Sequence, residues 1–92
     1  MKFEWDDLKA RRNAAKHGIS FITASFAVND PHSIIEYDSK HSTHESRYWL
    51  IGDSGEGILV VVFTVRPGNI IRIISAWRAG QEERRDYEKT KI

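Results

Sequence analysis

Ninety-two residues with a formal net charge of +1, 40% hydrophobic residues and ten aromatics make one folded domain rather than a disordered tail. There is no cysteine, which excludes disulfides and thiolate metal sites. The longest apolar run, residues 58–63, is far too short to span a bilayer, and the N-terminus MKFEWDD has no apolar core of a signal peptide. These features point to a soluble cytoplasmic protein.

Taken in order, Phe3-Glu4-Trp5 reads as a short apolar lead-in, an edge strand. Asp6 reads as an N-cap, with Asp7 favourable in the first turn of a helix over residues 7–17 that is rich in Lys, Arg and Ala. Lys16 and His17 complement the helix dipole in its last turn, and Gly18 suits the C′ position. Leu8, Ala15 and Ile19 mark the expected buried stripe. Ser20 caps a second helix whose Phe21, Ala24 and Val28 share one face, and Asn29-Asp30-Pro31 ends it. Residues 33–37 form an expected strand, 38–46 a polar loop, 47–51 a strand and 52–56 a turn. Two runs dense in Val and Ile, 58–65 and 70–77, follow across Arg66-Pro67-Gly68-Asn69, a long hairpin. Residues 81–89 are charged, with opposite-sign i,i+4 pairs such as Arg84/Glu88, and form a helix whose only large apolar residue is Tyr87; its docking is expected to be weak. The expected fold is α+β: an antiparallel meander of about four strands, two N-terminal helices on one face and a C-terminal helix.

Charge is unevenly spread. From Gly57 to Gln81 there are three arginines and no acid. A two-residue Pro-Gly turn mismatches strand twist, so a three-residue loop is preferred and pairs Arg66 with Ile70. Side-chain alternation then puts Thr64, Arg66 and Arg72 on one face, with Leu59, Val61, Phe63, Val65, Ile71, Ile73 and Trp77 on the other, under the helices. If Gly52 opposes Gly57, Arg47, Trp49 and Ile51 join the arginine face. Arg78 has the same parity but lies roughly 20 Å beyond Arg72, so it belongs near the final helix. Local positive charge on a near-neutral chain fits a confined anion site, not a surface that coats nucleic acid.

Lys16-His17-Gly18-Ile19-Ser20-Phe21, Asp30-Pro31, Glu45-Ser46-Arg47, Ile51-Gly52, Thr64-x-Arg66, Ile71-Arg72-Ile73-Ile74-Ser75-Ala76 and Arg78-Ala79, followed by Glu83-Arg84 and Tyr87, occur here in the order seen in the BrnT family of bacterial toxins. The chain resembles that family over nearly its whole length. The resemblance implies a RelE/ParE-like fold and a ribonuclease that inhibits translation and arrests growth. It implies a BrnA-type antitoxin with a DNA-binding ribbon-helix-helix domain, a heterotetramer built on the antitoxin dimer, and operator DNA bound only through the antitoxin. Trp77 departs from the family pattern, where many relatives have Arg; at an RNA-binding position it would exchange a phosphate contact for a stacking surface.

For such a ribonuclease the RNA brings its own 2′-OH nucleophile, and arginine forks stabilise the developing phosphorane without a metal or other cofactor. The expected catalytic set is Arg47, Arg66 and Arg72 on the phosphate, with His17, Glu83 and Tyr87 assisting, and with Lys16, Trp77 and Arg78 contacting RNA, free or on ribosomes. Plainer readings stand beside each: surface ion pairs for Arg66 and Arg72, a bridge to Glu45 or Glu36 for Arg47, and dipole compensation for His17. Arg78, Glu83 and Tyr87 can equally anchor the last helix, and Trp5, Trp49 and Trp77 can serve as core or antitoxin contacts. His41 and His44, beside Asp38 and Glu45, lack a second ligand pair and carry no metal assignment. The alternative function is a non-catalytic toxin on the same scaffold, a ParE-like gyrase binder.

Overall fold

The computed structural model describes residues 1–91. The elements are β1 (Lys2–Glu4), α1 (Asp7–His17), α2 (Phe21–Val28), β2 (Ile34–Tyr37), β3 (Arg47–Asp53), β4 (Ile58–Arg66), β5 (Ile70–Arg78) and α3 (Gln81–Lys89). They build one five-stranded sheet in the order β1-β5-β4-β3-β2. The four strands β2 to β5 form the expected antiparallel meander, but β1 joins it as a fifth strand, parallel to β5, so the sheet is mixed. The short lead-in carries no local signal for this pairing, because its partner lies almost seventy residues away.

The helix boundaries follow from capping. The Asp6 carboxylate accepts the Lys9 N–H at 2.9 Å, and Gly18 closes α1 at φ 71°, a left-handed conformation glycine adopts without strain. The Ser20 hydroxyl accepts the Thr23 N–H at 3.1 Å and starts α2. The apolar stripe expected from α1 forms only at its far end: Ile19, just beyond the helix, is buried in the core, whereas Leu8 (51%) and Ala15 are exposed, and the buried residue within the helix is Asn13. β1 covers only residues 70–72 of the β5 edge, and Asn13 serves that edge further along. Its Nδ2 donates to the carbonyls of Ala76 (2.8 Å) and Ile19 (3.1 Å), and its Oδ1 accepts the Ala76 N–H (3.1 Å). An amide side chain thus stands in for a strand and satisfies backbone groups whose burial unpaired is costly.

α2 lays Phe21, Ala24 and Ala27 on Leu50, Leu59, Val61, Phe63, Ile71, Ile73 and Ala76. The approach is close: a Cβ at Gly52 would sit 2.3 Å from the Ala27 carbonyl oxygen. Trp5 joins this core edge-to-face with Phe21. α3 packs on the opposite sheet face, not with the other two helices. There Tyr87 and Ala79 meet Ile51 and Val60, flanked by Ile34, Trp49, Ile58 and Trp77. Its docking is firm rather than weak: Tyr87 is 1% exposed and its phenol donates to Asp30. Asp30 also accepts the N–H of Asp53 (2.8 Å) and of His32 (2.9 Å), tying α3, the turn after α2 and the end of β3 to one carboxylate.

The hairpin loop has Gly68 at φ 86° and Asn69 at φ 59°, and Arg66 pairs with Ile70. Arg47, Trp49 and Ile51 lie opposite Thr64, Val62 and Val60, because Gly52 pairs with Leu59, not Gly57; the two-residue offset keeps the faces as expected. A second irregularity does change them. Between Val62 and Phe63 the β5 partner jumps from Ile73 to Ser75, a bulge with Ile74 as the extra residue. Beyond it every β5 side chain changes face. Trp77, expected under the helices, comes to the arginine face opposite Val60, and Arg78, expected beside the final helix, turns to the α2 side.

Candidate functional site

A row of side chains crosses the open end of the sheet. Arg47 is opposite Thr64, Thr64 opposite Arg72, and Arg72 opposite Glu4. At ~4.8 Å per strand, Arg47 and Arg72 stand about 10 Å apart, and Arg66 lies one two-residue step along β4 from Thr64. Period-two alternation on three strands brings these arginines together, and α3, at the other end of this face, leaves them open.

They are not unpartnered, as the acid-free hairpin suggested. β1 delivers Glu4 between two of them: Arg72 Nη1 donates to Glu4 Oε2 at 2.7 Å, and Arg66 Nε is 4.0 Å from the same oxygen. Arg47 Nε donates to Glu45 Oε2 at 3.3 Å, the plainer reading for that residue. These side chains keep 31–47% exposure. Such pairs are screened and weak. Each fork has further N–H donors, and three guanidinium groups against two carboxylates leave a net positive face. Thr64 is buried, and its hydroxyl donates to the Ser46 carbonyl at 2.6 Å, fixing the loop that carries Glu45.

Next to this row, toward α3, opens a cleft of about 290 Å³ lined by Asp38, Trp49, Val60, Val62, Trp77 and Glu83. Trp77 has the His17 ring at its side, 6.0 Å between centroids. Lys16 and His17 line a shallow groove with Lys9, Arg12, Asn13, Ile74 and Ser75, along the β5 edge. Glu83 Oε1 accepts the Gly80 N–H at 2.7 Å and so caps α3 while bordering the cleft. Asp38 accepts from the His41 ring at 2.9 Å and from its backbone N–H at 3.3 Å. Partial burial works against its charge, but these bonds and the His41 charge prevail and hold the carboxyl below its usual value.

Two expected site residues lie elsewhere. Tyr87 is sealed beneath α3, where burial first and the bond to Asp30 second raise its pKa far above that of a free phenol. Its phenol anchors α3 to the turn after α2 and does not open onto the arginine row. Arg78 donates to the Glu56 carbonyl (3.4 Å) and lines a groove with Ser20, Thr23 and Ser54 on the α2 side. Glu4 was missed. The one local signal for it is the alternation of Phe3 inward and Glu4 outward, which is legible only once β1 is known to join the sheet.

Residues 5–83 match the family described as ribonuclease toxin, BrnT, of type II toxin-antitoxin systems. The chain belongs to the BrnT family. The crystal structure of the Brucella abortus ribonuclease toxin BrnT resembles it with a TM-score of 0.68 and 28% identity, over 88% of this chain and 99% of that one. No curated protein matches the sequence. The BrnT match spans the three clustered arginines, Trp77 and Glu83; Glu4 and Tyr87 fall outside it. No helix among the described residues is long and apolar enough to cross a membrane.

Proposed function

We propose that this chain is an endoribonuclease toxin that cleaves RNA without a metal, by attack of a 2′-OH on the adjacent phosphate, leaving a 2′,3′-cyclic phosphate end. The observation that carries this reading is the cluster of Arg47, Arg66 and Arg72 on one open sheet face, with a carboxylate, Glu4, among them. A scissile phosphate held by Arg47 and Arg72 would displace part of their weak ion pairs and accept forked bonds in return. As the phosphorane forms, the guanidinium groups stabilise the added charge. Glu4 is the acceptor for the 2′-OH proton, the leaving 5′ oxygen takes its proton from solvent at the open face, and His17, with Lys16, assists by binding the RNA strand along the β5 edge. Glu83 contributes as an acceptor from the cleft.

The same reading places the protein in the cytoplasm, as the partner of a BrnA-type antitoxin whose ribbon-helix-helix dimer binds operator DNA and assembles a heterotetramer. The lone toxin is expected to be monomeric; a stable homodimer in light scattering would count against that assembly.

Incubation of the purified protein with RNA in EDTA tests the activity. Cleavage that is lost in Arg72→Ala, and lost when the nucleotide bearing the nucleophile is 2′-deoxy, supports it. RNA left intact with and without ribosomes overturns it and favours a ParE-like, protein-binding toxin.

A further inference from the structure

The cleft beside the arginine row has an unusual lining for a protein that handles a polyanion. Two indoles, Trp49 and Trp77, and two valines, Val60 and Val62, form its walls, and two carboxylates, Asp38 and Glu83, border it. Neither carboxylate is paired with a lysine or arginine among the described residues. A phosphate would be repelled there. A nucleobase would not, since it offers a π-face to an indole and N–H donors to a carboxylate. The cleft is one two-residue step from Arg47 and Thr64, so a base can enter it while its phosphate stays on the arginines.

The bulge at Ile74 gives this arrangement its cause. With uninterrupted alternation Trp77 would face α2; the extra residue swings it into the cleft, a re-aiming typical of bulges beside active sites. The His17 ring holds its flank. Asp38 is fixed by His41, and Glu83, anchored to Gly80 through Oε1, makes no bond through Oε2 among the described residues.

Resting on the ribonuclease reading, we infer that the Trp49–Trp77 cleft is a base-specificity pocket that selects guanine next to the scissile phosphate. The Glu83 carboxylate presents two acceptors side by side, because Oε1 keeps a second lone pair beside its bond to Gly80, and the guanine Watson–Crick edge alone presents two adjacent donors, N1–H and N2–H₂. Adenine and cytosine set an acceptor nitrogen beside their amino group, and uracil flanks its single N–H with two carbonyls. Each of these three would turn an oxygen or nitrogen lone pair toward the second carboxylate oxygen.

The test has two arms. In the first, the nucleoside 3′-monophosphates are titrated against the intact protein while tryptophan fluorescence is read; Trp5 is remote, in the core beside Phe21. 3′-GMP is expected to bind at least about tenfold tighter than the AMP, CMP and UMP counterparts, with the preference lost in Glu83→Gln, which keeps the helix cap but not the charge. Trp77→Ala is expected to weaken 3′-GMP binding about tenfold, and Trp77→Phe to retain most of it. In the second arm, an RNA with one guanosine among uridines is expected to be cut beside that guanosine. Equal binding of all four nucleotides, or a guanine preference unchanged in both Glu83→Gln and Trp77→Ala, overturns the pocket. Efficient cleavage without base preference overturns it too while the ribonuclease reading stands. Intact RNA with guanine-selective quenching fails the ribonuclease reading and leaves the pocket.

Discussion

Asn13 and Glu4 are polar residues whose roles come from where the chain folds. Asn13 bonds both backbone groups of Ala76, so Asn13→Ala leaves a buried N–H and C=O without partners. A loss of about 1–3 kcal/mol is expected, measured by urea denaturation, with the denaturant slope unchanged. Glu4 presents one oxygen to Arg72 and Arg66 at partly exposed positions, so the ion pair itself contributes little to stability. Glu4→Gln is expected to leave the unfolding midpoint nearly unchanged while lowering the RNA cleavage rate by about a hundredfold or more, the effect of removing a general base. Cleavage that rises instead would mean that Glu4 only competes with phosphate for the arginines. At Gly52 the argument is steric. Gly52→Ala puts a methyl group against the Ala27 carbonyl, and a loss of about 1–3 kcal/mol should appear as a lower melting temperature.

At the scale of elements, α3 is held by one aromatic anchor. Full burial of such a side chain contributes about 1.5–3 kcal/mol, and Tyr87 adds the bond to Asp30. Burial opposes the Asp30 charge, but the bonds from Tyr87, then from the Asp53 and His32 N–H groups, and the His32 charge outweigh it, and its pKa lies below normal. The stability from this group is full above its unfolded pKa, about 3.9, and is lost as pH falls through the lower folded value. Tyr87 behaves oppositely. Its folded pKa is raised, so its contribution is full below about 10 and is lost as pH rises beyond it. The melting temperature of the intact protein is expected to fall at both ends. Tyr87→Phe should flatten the alkaline limb, and thermal melts across pH 3–11 check this. An unchanged alkaline limb would show that the phenol does not hold the helix. The β5 bulge is the other element-scale device. It divides the strand into a half that carries Arg72 on the open face and a half that carries Trp77 there instead of Arg78.

Over the whole molecule, charge is balanced while the arginine face is not. The net charge is +1, and three arginines gather at one end of the sheet. RNA affinity is therefore expected to depend only modestly on salt. On the proposed phosphate contacts of Arg47, Arg66 and Arg72, log K against log salt should fall with a slope of about −2, against the steep slopes of proteins that coat nucleic acid. A much steeper slope would mean that Lys9, Arg12 and Lys16, along the β5 edge, extend the binding path.

Local chemistry written in the chain determined much of this protein. Asp6, Gly18 and Ser20 set the helix ends through capping, Pro67-Gly68-Asn69 set the hairpin loop, and period-two alternation set Arg47, Arg66 and Arg72 on one face. These effects act within a few residues, so they are legible without the fold. Tertiary structure decided the rest: the parallel pairing of β1 that brings Glu4 to Arg72, the Ile74 bulge that exchanges Trp77 and Arg78 between faces, and the docking of α3 through Tyr87 on Asp30. Each depends on partners distant in sequence. A single inserted residue reverses alternation without leaving a mark in a Val- and Ile-rich run, because side chains suited to either face look alike there.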